Sequence, residues 1–196
     1  MRTRAAATDT STRALSLVAA GVVLSVFGAA SLTAWIVSSA EAAGISPGPA
    51  ALLLSFGSAL GICVRLVSGR WADRTTVHPM RLVAAMLGIG CLGVALLATE
   101  VGWLHVIAVI PAFGAGWAWP GLFNLAIIRA NPSAPGAATG ITQTGIYVGS
   151  FSAPIIFGLV VDASGYTAAW LMAGSLTAIG ALLMWRSQYL QPALDR

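Results

Sequence analysis

Long apolar runs broken by single charges or small charge clusters set the pattern of this chain. Charge-free stretches cover 14–40, 42–64, 82–99, 101–128, 130–161 and 163–185. A helix rises about 1.5 Å per residue, so roughly 20 apolar residues cross about 30 Å of hydrocarbon. The run at 82–99 is slightly short, and tilt, local thinning or snorkelling of Arg81 makes up the difference. The expected fold class is therefore all-α: a polytopic bundle of six transmembrane helices over 14–190, with tails at 1–13 and 191–196. Long unbroken apolar runs exclude a β-barrel, whose strands are short and alternate.

The charges between the runs are sorted by sign. Arg13 precedes the first run, Arg65, Arg70, Arg74 and Arg81 follow the second, Arg129 follows the fourth and Arg186 the sixth. Glu41, Glu100 and Asp162 take the gaps in between. With six spans, every arginine, including Arg2, Arg4 and Arg196, falls on one side. The positive-inside rule makes that side the cytoplasm, so both chain ends are expected there and the protein is expected in the cell membrane. Turns are expected at 44–49, 71–80, 99–102, 131–136 and 162–166, each marked by Pro, Gly or charge.

Composition agrees with this pattern. Hydrophobic residues make up 58% and charged residues 8%, against about a quarter charged in a soluble domain, so the solvent must be largely lipid. The net charge of +4 sits at the ends of apolar runs, which makes nucleic acid a remote partner. Cys63 and Cys91 lie inside apolar runs without metal spacing and read as small packing residues. The basic start followed by an apolar run has the order of a signal peptide, with Ser38-Ser39-Ala40 as a possible cleavage site. The run at 14–40 outlasts a cleaved core of about 7–15 residues, so an uncleaved first helix is expected.

Enzyme signatures are missing: no phosphate-binding glycine loop, no metalloprotease His pair, no nucleophile elbow. His78 and His105 stand apart and read as interfacial or packed residues. No catalysis, metal or cofactor is expected. Glycine is more informative. Gly136 and Gly140, and again Gly145 and Gly149, are four apart, so each pair shares a helix face on which backbones can approach closely. Pro154 and Gly158 follow, and Pro154 invites a bend. On its own the pattern reads as static packing, and with Pro154 it also fits a helix that flexes against its neighbour.

The segment Arg65-Leu66-Val67-Ser68-Gly69-Arg70-Trp71-Ala72-Asp73-Arg74 resembles the cytoplasmic loop motif of the major facilitator superfamily, in which a glycine is followed four residues later by Asp–Arg. Gly69, Asp73 and Arg74 take those positions, while Thr76, Val77 and His78 stand where that family usually has a glycine and two basic residues. Gly145, Gly149, Pro154 and Gly158, then Asp162, Gly165, Tyr166 and Trp170, are similar to the late helices of such transporters. The resemblance implies the C-terminal six-helix half of a secondary transporter that moves a small solute by alternating access. It implies that Gly69, Asp73 and Arg74 belong to a cytoplasmic gate, against the alternative of a solvated pair contributing about 0–1 kcal/mol.

The resemblance also points to the first, second, fourth and fifth helices as cavity walls, nominating Thr33, Trp35, Trp117, Trp119, Asn124, Gln143 and Tyr147. Gln143 and Tyr147 share a face, and the two amides need a partner or a cavity, so interhelical hydrogen bonds compete with a solute role. Arg65 reads as a snorkelling residue near the interface. In this family the solute site lies between two bundles. The chain is then expected to be a fragment, a split-gene product or a unit that dimerises in parallel, its partners being the bilayer, a small solute and a second six-helix half. A non-transporting membrane protein is the competing reading, and a channel would need a filter-like loop that is not seen.

Overall fold

The computed structural model describes residues 12–187. The tail expected at 191–196 lies outside these residues, as does nearly all of that expected at 1–13. Helices α1 (Thr12–Ala42), α2 (Pro47–Arg74), α3 (Pro79–Leu97), α4 (Gly102–Pro111), α5 (Pro120–Ala130) and α6 (Pro135–Ser187) make up almost all of the described chain, with a π-helical segment, Ala112–Trp117, joining α4 to α5. Five helical stretches are long and apolar enough to cross a membrane, α4 to α5 forming one of them over Gly102–Ala130. The outward-facing side chains are those of a lipid-facing protein: Phe151 is 76% exposed, Leu66 66% and Leu52 66%, a continuous apolar exterior that water would not tolerate.

A straight 53-residue helix such as α6 would run about 80 Å, far beyond one bilayer core. It does not run straight. Gly165 adopts φ 81° and ψ 175°, a region essentially reserved for glycine, and the helix doubles back there. Its first arm, 135–164, runs beside α1 in the same direction: Gly145 backs onto Ala19, Gly149 onto Val23 and Val26, and Gly158 onto Trp35. Its second arm, 166–187, returns along α1, with Thr177 at Gly28, Gly180 at Ser25 and Leu183 at Gly21. Thr177 Oγ1 accepts a hydrogen bond from the Gly28 N–H at 3.1 Å. The reversal is held from α3's end, where the Glu100 carboxylate accepts from the Thr167 N–H at 2.8 Å, satisfying an orphan donor at the start of the second arm.

The expected turn at 71–80 is shorter than the sequence suggests. Helix α2 continues to Arg74 and leaves only 75–78 between helices. Nothing in 65–74 breaks a helix, and the ladder continues through its charged residues. His78 then caps α3, its Nδ1 accepting from the Met80 N–H at 3.2 Å. Burial and the nearby Arg81 hold its imidazole below the usual histidine range.

Charge sorting persists in three dimensions. Asp73 and Arg129 meet at one end of the bundle. At the other end Gly102 lies against Ala43 and Glu100 reaches the α6 turn. Two buried clusters fill the interior between these ends. One is built around Val22, Leu87, Trp119 and Phe123, the other around Ile36, Phe113, Phe157 and Trp170.

Candidate functional site

The π-helical segment organises the middle of the bundle. Pro111 and Pro120 bracket it and each removes a backbone donor, so the regular ladder gives way between them. Its side chains fit notches on α2: a Cβ on Gly57 would lie 2.5 Å from the Phe113 ring, and one on Gly61 2.6 Å from the Trp117 indole. Its backbone rests on α3, where Gly116 lies against Gly90 and Ala112 against Gly93. Five glycines, Gly116 of the segment itself among them, thus let three backbones approach around Ala112–Trp117.

Beside this segment a cavity of about 450 Å³ opens on one face of the bundle. Val26, Ala29, Ala30, Thr33 and Ala34 of α1, Arg65 of α2, Trp117, Pro120 of α5, and Ile146, Ser150 and Pro154 of the first arm of α6 line it. Neither α3 nor the second arm of α6 contributes. The walls are mostly aliphatic, with one charge.

That charge is Arg65, which is partly buried. Arg74, nine positions further on, ends α2, about 13 Å along the helix. Its Nη2 donates to the Trp117 carbonyl at 2.8 Å, and its guanidinium carbon lies 3.9 Å from the centre of the Trp117 ring, a cation–π arrangement. Its Nε is buried and meets no acceptor among the described residues. A carbonyl and an aromatic face from the irregular segment hold the cation, an environment that charge counting along the chain does not reveal. Pro154 adds polarity opposite, because it cannot donate to the Ser150 carbonyl one turn earlier.

The nominated side chains divide. Thr33 and Trp117 line the cavity. Trp35 stands beside it, its Nε1 donating to the Pro154 carbonyl at 3.0 Å and its ring stacked on Phe157. Trp119 is fully buried in the core, and its Nε1, like Asn124 Oδ1 and Gln143 Oε1, is buried without a partner among the described residues. Tyr147 points outward, 68% exposed. Of the glycines, Gly145, Gly149 and Gly158 meet close neighbours, whereas a Cβ on Gly136, Gly140 or Gly69 would meet nothing within 4 Å.

Towards the acidic end, buried aromatic and polar groups fill the space between α1, α4 and α6. Phe157 packs edge-on against Trp170, ring centres 4.6 Å apart. Trp170 Nε1 donates to Ser39 Oγ at 2.8 Å, and Ser39 Oγ lies 3.0 Å from His105 Nε2. The Val101 carbonyl, 3.3 Å from His105 Nδ1, can only accept, so in the neutral ring Nδ1 carries the proton and Nε2 receives the serine hydroxyl. His105 is thus a packed histidine. At the basic end Arg129 Nη2 donates to Asp73 Oδ1 at 3.1 Å, tying the end of α5 to that of α2. Both side chains are solvent-exposed, so the pair contributes at most about 1 kcal/mol. Among the described residues no group of three or more His, Cys, Asp or Glu is placed to hold a metal.

The family model of the Major Facilitator Superfamily matches residues 18–194. The chain belongs to the Major Facilitator Superfamily. It is thus a multi-pass helical membrane protein of a transporter superfamily whose members handle small solutes and are generally not enzymes. No curated protein matches the chain.

Proposed function

We propose that this superfamily member is a six-span half of a secondary transporter, equivalent to the C-terminal half, and that it moves a small solute by alternating access. The observation that carries the proposal is the open cavity of about 450 Å³ on the face formed by α1, α2, α5 and the first arm of α6. A groove of this kind becomes an enclosed site when a second bundle covers it. The reversal at Gly165 supports counting six spans, and the sign-sorted charges support placing the Asp73–Arg129 end in the cytoplasm of the cell membrane. The second bundle is another six-helix polypeptide or a parallel copy of this chain.

Gly69, Asp73 and Arg74 serve as the cytoplasmic latch. The Asp73–Arg129 contact at 3.1 Å is weak enough to break in each cycle, yet a contact present in only one state biases a near-balanced equilibrium by its full value. Thr33, Trp117, Trp35, Asn124 and Gln143 serve as cavity groups, with Trp119 behind them and Tyr147 on the outer face towards the second bundle. Gly136, Gly140, Gly145, Gly149, Pro154 and Gly158 form the surfaces on which the first arm of α6 packs and flexes.

The test is reconstitution. The chain is purified in nanodiscs, its subunits are counted by mass, and solute uptake is measured in liposomes. Uptake by a dimer that falls when Asp73→Asn is introduced supports the proposal. A monodisperse monomer without uptake refutes autonomous transport.

A further inference from the structure

We infer that the cavity takes a small organic anion, one carboxylate on a largely apolar body, held through Arg65. This deepens the transport reading and rests on it in one respect, that the cavity is the solute site. Three observations combine. First, among the described residues Arg65 is the one charged residue lining the cavity, and the wall includes no Asp or Glu. Second, Asp73, the one carboxylate on α2, is engaged by Arg129, and no carboxylate of the described residues lies within ion-pair distance of Arg65. A partly buried guanidinium without an anionic partner is costly to leave uncompensated. Third, its geometry is fixed from one side. The Trp117 carbonyl takes one N–H and the indole face supports the plane. A planar carboxylate is the ligand that a guanidinium fork binds with two parallel hydrogen bonds.

Charge balance selects among anions. One cation neutralises one negative charge, which favours a monocarboxylate over a phosphate that carries close to two. The remaining wall, chiefly Val26, Ala30, Ile146 and Pro154, offers aliphatic surface to the rest of the ligand, with Thr33 and Ser150 as its hydroxyl groups.

Binding is read without transport, by protecting a reporter on the cavity wall. In a Cys63→Ala, Cys91→Ala background, Ser150→Cys is labelled with N-ethylmaleimide in the full chain in nanodiscs. Butyrate, butyramide and inorganic phosphate are each supplied at millimolar concentration. The expected result is slowed labelling with butyrate, little effect of the isosteric uncharged butyramide, and little effect of phosphate. Arg65→Gln is expected to weaken butyrate protection by about 30-fold, the loss of charge-assisted hydrogen bonds, and Arg65→Lys by less. Equal protection by butyramide, no protection by butyrate, or stronger protection by phosphate overturns the inference. Those comparisons are made with Arg65 present, so they decide even if Arg65→Gln fails to fold. Butyrate protection in a chain that takes up no solute leaves this inference standing and counts against autonomous transport. Uptake with no carboxylate-selective protection does the reverse.

Discussion

Adding one methyl group at Gly149 tests how closely the first arm of α6 is pressed against α1. An alanine Cβ there would overlap Val26 Cγ1 and lie 2.8 Å from the Val23 carbonyl oxygen and 3.2 Å from the Val23 Cα. Val26 can change rotamer, but the carbonyl cannot. Ordinary contact begins near 3.4 Å, so the arm must retreat by about 0.6 Å, an overpacking that costs roughly 1–3 kcal/mol. Alanine recovers up to about 1 kcal/mol of helix propensity, leaving a net loss of up to about 2 kcal/mol. Gly140 lies nine residues earlier on the same arm and has open space where its Cβ would be, so Gly140→Ala keeps the propensity gain alone. For a chain of this size 1 kcal/mol is worth about 2–4 °C. Thermal unfolding of both variants in one detergent, followed by tryptophan fluorescence, should therefore separate them by several degrees, with Gly149→Ala the lower. Equal destabilisation at both positions would refute the assignment of the contact face.

Gly165→Ala places a side chain at φ 81°, ψ 175° and should cost about 1–3 kcal/mol, read as a lowered melting midpoint; an unchanged midpoint would mean that the reversal lies elsewhere. Glu100→Gln weakens the acceptor at the start of the second arm, where Thr167 donates through both N–H and Oγ1, and should lower stability by about 0.5–1 kcal/mol with faster amide exchange around 167. The His78 cap works only while Nδ1 is unprotonated. Its pKa in the fold is lowered, so the unfolded chain binds the proton more readily. The contribution is complete above the ordinary value near 6.5 and is lost as pH falls through the lowered one. His78→Ala should remove that acid-side component while costing about 1 kcal/mol at neutral pH; a midpoint-against-pH curve unaltered by the substitution would exclude the cap.

Hydropathy and charge order carry most of the architecture because each responds to a large penalty. A backbone polar group or charge left in hydrocarbon costs several kcal/mol, so the apolar runs and the sorting of Glu41, Glu100 and Asp162 away from the arginines are legible residue by residue. Helix limits past the hydrocarbon boundary carry no such penalty, and for that reason the last turns of α2 read as loop. The glycine spacing identified a face on the first arm of α6, yet Gly136 and Gly145 have the same local pattern and differ only in what lies opposite. The Gly57–Gly61 and Gly90–Gly93 spacings were present in the sequence as well. Their meaning depends on a π-helical segment between two prolines, whose register no hydrophobic period announces.

The same irregularity accounts for the surroundings of Arg65. In a regular helix a carbonyl at position 117 would be committed to the ladder, and an arginine facing it from α2 would have to snorkel. Between Pro111 and Pro120 the ladder is interrupted, and the Trp117 carbonyl is turned towards α2 with its own indole beneath the guanidinium. The notches at Gly57 and Gly61 bring α2 close enough for that contact. The position of the guanidinium therefore follows from backbone packing between α2, α3 and the π-helical segment, and any substitution that fills those notches should displace Arg65 from the cavity before it disturbs the fold. Solute recognition and glycine packing are in this way one structural property, because the side chain that gives the cavity its sign is held there by the segment the glycines admit.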